Sequence, residues 1–159
     1  MVSARIVLDY HDLGPRLEDE RSDRRTVAVA NGCFDLIHVG HVRLLADART
    51  EADVLVVALN TDESVRESKG DGRPLVPLAE RMEVVAAIAG IDYVTSFPEP
   101  TAGPLLEALR PDVQIKGMDR DVGSVPERSI VERYGGRIAF CGDEKTHSSS
   151  DLARRLRGG

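Results

Sequence analysis

His38 and His41 stand three residues apart with Gly40 between them, where an apolar run at residues 26–30 gives way to a helix-patterned run at 42–49. On a first helical turn, rings at that spacing face the same way. A helix start also presents unpaired backbone N–H groups and the positive end of the peptide dipoles, which suits an anion. Gly40 has no side chain, so a phosphate can come close to the backbone there. These are the groups needed to grip a nucleoside triphosphate. A partial metal site uses the same pair, but zinc asks for a third protein ligand. No Cys/His/Glu cluster of zinc-site spacing lies nearby in the chain, so no metal-ligating residue is assigned.

Further polar residues fall where strand-like runs end. Asn60, Thr61 and Asp62 follow the continuous apolar run 54–59; they read as helix caps, as ligand contacts, or as both. Lys116 ends the run 112–116. Ser148, Ser149 and Ser150 precede the last helical stretch, as an N-cap and a second anion site. The glycine-punctuated loop 68–74 carries Lys69 and Arg73, either as a plain surface turn or as a lid that brings both onto a substrate phosphate. Of 21 basic residues only Lys69, Lys116 and Lys145 are lysines, all beside turns. A flexible ammonium near phosphates is one reason for lysine over arginine there.

The elements that must position these groups alternate. Strands are predicted at 26–30, 54–59, 92–97, 112–116 and 137–141. Helices are predicted at 41–49, 63–68, 78–89, 102–109, 125–134 and from the serine run to Leu156. The run 54–59 has the pattern of a strand buried on both faces, hence of a parallel sheet. Alternation without repeat or linker predicts one α/β domain: a Rossmann-like three-layer α/β/α sandwich with a five-stranded, mainly parallel sheet. Residues 1–24 read as an N-terminal extension with a short surface helix around Leu13 and Leu17, weakened by Pro15, and 25–156 as the core. The polar residues singled out then share one side of the sheet, and His38, His41 and His147, three of the four histidines, are among them.

Composition narrows the function. The 159 residues are 42% hydrophobic and 30% charged, which fits one domain with a sizeable core. No apolar run is long enough for a membrane span and no signal-peptide pattern opens the chain, so a cytoplasmic protein is expected. Cys33 and Cys141 are too few for a disulfide framework and read as reduced, packed thiols. A net charge of −6 argues against a broad nucleic-acid surface, but leaves room for a small phosphorylated ligand.

The stretch NGCFDLIHVGH resembles the signature of the cytidylyltransferase-like nucleotidyltransferases. With SKGDGRPLVPLAERM, DYVTSF, PDVQIKGMD, YGGRI and HSSSDL, the chain is similar to the nucleotidyltransferase portion of the ADP-heptose synthases, the heptose 1-phosphate adenylyltransferases. Bifunctional members carry a sugar kinase domain, for which 159 residues leave no room. The resemblance implies transfer of AMP from ATP to a sugar phosphate, with release of pyrophosphate. It implies His38, His41 and Lys116 as the catalytic residues. Asn31, Gly32, Cys33, Phe34, Gly40, Arg81, Asp119 and Ser148 to Ser150 would bind nucleotide. Asp35, Asn60, Asp62, Lys69 and Arg73 would serve the acceptor, with Asp35 also organising its loop. A Mg2+ ion would bridge the phosphates, held mainly by nucleotide and water. A homodimer and small-molecule partners are expected. The glycerol 3-phosphate cytidylyltransferases carry an arginine and a glycine that residues 143–149 lack, so ATP is expected over CTP. Cytidylyl transfer to glycerol 3-phosphate is the alternative enzyme, and a nucleotide-binding module without turnover a more distant one. Met118 and the serines of the last motif depart from the heptose pattern and leave the acceptor open.

Overall fold

A computed structural model describes residues 3–144 and 148–158. Among these, six strands form one parallel sheet: β1 Arg5–Asp9, β2 Val27–Gly32, β3 Val54–Asn60, β4 Tyr93–Phe97, β5 Val113–Gly117 and β6 Arg137–Cys141. Their spatial order is β1-β4-β3-β2-β5-β6, and every pairing is parallel. Six α-helices lie in the connections between them, α1 Tyr10–Ser22, α2 Val39–Ala48, α3 Asp62–Lys69, α4 Leu78–Ala86, α5 Gly103–Leu109 and α6 Arg128–Arg133, and α7 Ser149–Leu156 follows the last strand. The chain winds outward from β2 through β3 and β4, then returns to add β5 and β6 on the other side. The strand order therefore reverses next to β2, and a crevice opens at the carboxyl ends there.

The inward pattern of β2 and β3 divides the core into two layers. Ala28, Ala30, Leu55, Val57 and Leu59 face Leu45 of α2 and Met82 and Val85 of α4. Val27, Val29, Val54, Val56 and Ala58 face Leu13 and Leu17 of α1, Leu105 and Leu106 of α5, and Val131 of α6. Each of the valine, leucine and methionine side chains among these, once fully buried, stabilises the fold by about 1.5–3 kcal/mol. This two-sided apolar sheet is the rigid base under the crevice.

The sheet has one strand more than the sequence pattern predicts. In β1 only Val7 is buried, too little for a period-two signal, yet its backbone pairs Arg5 with Tyr93 and Ile6 with Val94. The helix around Leu13 is also longer and more buried than expected: both leucines have no exposure, and Asp9 caps it by accepting the His11 N–H. The helix predicted at 125–134 is shorter, α6 being preceded by a 3-10 turn at Val122–Ser124. Gly135, at φ +90°, then closes it and lets Gly136 N–H reach the Val131 carbonyl. Both cysteines are free thiols, and burial pushes Cys141 up to about 11. Among the described residues no helix is long and apolar enough to cross a membrane.

Candidate active site

β2 ends at Gly32, and the chain turns over Phe34, which adopts φ +50°, before α2 begins. Phe34 lies against Gly32, where an added Cβ would stand 3.3 Å from its ring, so glycine keeps the turn tight. His38 is the N-cap of α2. Its Nδ1 accepts the Gly40 N–H at 3.1 Å, and His41 Nδ1 accepts the His38 N–H at 3.2 Å. A ring nitrogen that accepts is unprotonated, so the neutral rings carry their protons on Nε2. The two imidazoles lie 4.0 Å apart between centroids, and both are half-buried. Burial, then the neighbouring His38 and Lys69, pushes His41 down to about 4. At neutral pH His41 is therefore a neutral hydrogen-bond donor through Nε2. The Gly40 N–H, by contrast, is taken by the His38 ring.

These rings line a cleft of about 290 Å³ with Gly40, Lys69, Asp119 and the start of α7 at Ser148, Ser149 and Ser150. Ser148 caps α7 by accepting the Asp151 N–H at 3.0 Å. Ser149 Oγ donates to the Leu36 carbonyl at 3.0 Å, so the last helix is tied to the histidine loop. The two helix starts, 107 residues apart in the chain by their first serine and last histidine, thus face one space. The readings that fall on Lys145, Thr146 and His147 lie outside the described residues.

A second lobe of about 280 Å³ adjoins the first and shares His41, Leu44 and Gly117 with it. Asn31, Gly32, Cys33, Phe34, Lys116 and Arg120 line it. The Lys116 ammonium sits 3.3 Å from Glu127 Oε2, both side chains being nearly buried. The structure thus brings together His38, Gly40, His41, Lys69, Asp119 and the serines in one lobe, and Lys116 with the residues following β2 in the next.

Five other residues singled out from the sequence are engaged with each other and with backbone. Arg81 is fully buried; its guanidinium donates to the carbonyls of Cys33 at 2.6 Å, Asn60 at 2.9 Å and Val76 at 2.9 Å, and to Asp62 at 2.6 Å. It clasps the ends of β2 and β3 together. Asn60 donates to Ser64 Oγ and faces the Cys33 thiol. Asp35 accepts from Arg73 Nε at 2.6 Å and from the N–H groups of Leu75 and Val76. Asp35 and Arg73 are buried, which makes them the pin of the 68–74 loop. Burial alone would raise the Asp35 carboxyl, but the two backbone N–H groups and Arg73 hold it below the usual carboxylate range.

Sequence reasoning missed Glu127, Gln114 and Arg120. Gln114 alone carried a signal, as a polar residue between the apolar Val113 and Ile115 of β5.

A family model described as cytidylyltransferase-like matches residues 29–154, a span that contains both lobes. The chain belongs to the cytidylyltransferase-like family. Relatives within reach of this family member include Bifunctional protein HldE of Alcanivorax borkumensis, 41% identical over 155 residues, which are 98% of this chain and 33% of that protein. The protein of the same name from Syntrophotalea carbinolica is 44% identical over 140 residues, 88% of this chain and 29% of that one. The chain spans about a third of the length of the curated relatives it matches. The lipopolysaccharide core biosynthesis protein of Thermoplasma volcanium, a crystal structure, superposes with a TM-score of 0.64 at 21% identity, over 76% of this chain and 99% of that one. That likeness is one of fold: the cytidylyltransferase-like sheet and its crossovers.

Proposed function

We propose that this chain is a nucleotidyltransferase that moves AMP from ATP to a sugar phosphate, heptose 1-phosphate, and releases pyrophosphate. The observation that carries the reading is that His38 and His41, whose Nδ1 atoms accept backbone N–H groups and so leave Nε2 as the donor, line the same cleft as the serine-capped start of α7. An oxygen of the acceptor phosphate attacks the α-phosphorus. The bond from that phosphorus to the β-bridging oxygen breaks, and pyrophosphate leaves with the electron pair. No protein nucleophile is required, so positioning and charge stabilisation supply the rate. His38 and His41 donate to the α-phosphate oxygens as charge grows there. Lys116 adds a positive charge from the neighbouring lobe. Ser148, Ser149 and Ser150, with the N-terminal amides of α7, hold the β- and γ-phosphates.

Among the described residues no group of three or more His, Cys, Asp or Glu side chains could cage a metal ion. Asp119, Asp143 and Glu144 line the first lobe and would bind the water shell of a Mg2+ ion carried by the triphosphate. Such an ion would neutralise charge on the departing pyrophosphate. The choice of ATP rests on the missing arginine and glycine in residues 143–149, and the choice of heptose on the likeness to the HldE proteins. Asn31, Gly32, Cys33 and Phe34 border the nucleotide; Asn60, Asp62, Lys69 and Arg73 shape the acceptor side, and Arg81 and Asp35 hold that shape. We further propose one transferase domain, with residues 1–24 as an N-terminal extension and 25–156 as the core, working in the cytoplasm as a homodimer on small-molecule substrates.

Pyrophosphate release from a matrix of ATP, CTP, GTP and UTP against heptose 1-phosphate, other hexose 1-phosphates and glycerol 3-phosphate tests the proposal. ATP with heptose 1-phosphate should give the highest kcat/KM. Preference for CTP with glycerol 3-phosphate would replace it, and ATP binding without release from any acceptor would make the chain a binding module.

A further inference from the structure

Gln114 lies in the middle of β5, between β2 and β6, with no exposure. A buried amide costs stability unless it is partnered. Its Nε2 donates to Asn31 Oδ1 at 3.4 Å, while Oε1 has no hydrogen-bond partner among the described residues. Gln114 and Lys116, two apart in the strand, share the face that α6 covers. From the start of α6 comes Glu127. It holds the N-cap position yet makes no side-chain cap bond to its own helix. Its carboxylate is turned inward, 7% exposed, with Oε2 at 3.3 Å from Lys116 Nζ. Burying a charge is unfavourable unless it is paired, and here the partner is Lys116.

We propose that Glu127 and Gln114 are positioning residues which hold the Lys116 ammonium in the second lobe of the active site, an inference that rests on the transfer reading above. Two polar pairs, Gln114 with Asn31 at 3.4 Å and Lys116 with Glu127 at 3.3 Å, thus lie between the end of β2 and the start of α6. Burial pushes the Lys116 ammonium down from its ordinary value, Glu127 works against that, and Arg120 adds to it. Burial would likewise raise Glu127, but Lys116, its own backbone N–H and the Gln114 amide outweigh burial and hold it down. The charged or titratable groups around the ammonium are Glu127 from α6, Arg120 from the loop after β5, His41 from α2 and Cys33 from the turn after β2.

Two substitutions separate charge from place. Glu127→Gln keeps the size and removes the charge; Glu127→Asp keeps the charge and withdraws it by one methylene. Each is read two ways on the full chain: the pH profile of kcat for pyrophosphate release, and the titration of the Lys116 Cε signal by NMR. The chain has three lysines, so Lys116→Arg identifies that signal. Lys116 acts as the ammonium, so loss of its counter-charge moves the alkaline limb to lower pH. In Glu127→Gln the limb and the titration should both fall by about one pH unit or more, with kcat at pH 8 down about tenfold and the KM for ATP within about threefold. Glu127→Asp should restore the titration and only part of kcat. An unmoved limb and titration in Glu127→Gln, or a uniform loss at every pH that aspartate does not repair, overturns the proposal. Should Glu127→Gln not fold, Glu127→Asp decides: a wild-type kcat, or a titration displaced as far as the glutamine variant's prediction, counts against it. Silence of the wild-type chain with every donor and acceptor would sink the transfer reading instead, and the Lys116 titration would still decide whether Glu127 governs that ammonium.

Discussion

Ser149 Oγ donates to the Leu36 carbonyl at 3.0 Å, joining the first residue of the last helix to the loop that carries His38. Leu36 and Ser149 are 113 residues apart in the chain. This bond ties the start of α7 to the loop of the two imidazoles, and on the proposed reading sets the length of triphosphate that the cleft holds. Ser149→Ala removes it without disturbing the Ser148 cap. The expected stability loss is about 1 kcal/mol. The KM for ATP should rise several-fold while kcat changes less. Calorimetric melting and steady-state kinetics check both; an unchanged KM would mean that α7 needs no such tie.

Asp35 and Arg73 bear on the fold before they bear on any substrate. Asp35→Ala leaves the buried Arg73 guanidinium, and the part-buried N–H groups of Leu75 and Val76, without their shared acceptor. Breaking a buried pair from one side costs about 3–5 kcal/mol. Urea unfolding should show that loss. A variant as stable as the wild type, with only the acceptor KM raised, would put Asp35 in contact with substrate instead.

Much of this site could be read in the chain itself. The spacing of His38, Gly40 and His41 after an apolar run gave the strand-to-helix turn, because capping is a local act; that the His38 ring would take the Gly40 N–H was not legible there. Asn60, Lys116 and Ser148 were legible as strand-end or cap residues for the same reason. The hidden part is what non-local contacts decide. Arg81 reads as one more first-turn arginine of an amphipathic helix, yet its guanidinium collects carbonyls from three separate segments. Glu127 sits in a polar stretch, and only the sheet brings it to Lys116. β1 was hidden because an edge strand with one buried side chain leaves no alternating pattern.

The depressed His41 makes a pH prediction. Its folded value of about 4 lies below the ordinary 6.5, because burial first, then His38 and Lys69, disfavour the imidazolium. Between those values the unfolded chain binds a proton that the folded chain does not. The stability contribution is complete above pH 6.5 and is lost as pH falls through about 4. Urea midpoints of the wild type should therefore drop more steeply across that window than those of His41→Asn. Parallel pH profiles would mean that His41 titrates normally in the fold.

The account rests on the Nε2 donors of His38 and His41, and single-turnover pyrophosphate release isolates them. Asparagine at 38 still caps α2, so His38→Asn and His41→Asn can remove a ring while the helix start is kept. With saturating ATP and acceptor, each variant should release pyrophosphate about 10²–10³ times more slowly than the wild type at a nearly unchanged melting temperature. Rates within about twofold of wild type in both folded variants would contradict the account, because the phosphate would then be steadied by something other than the two imidazoles.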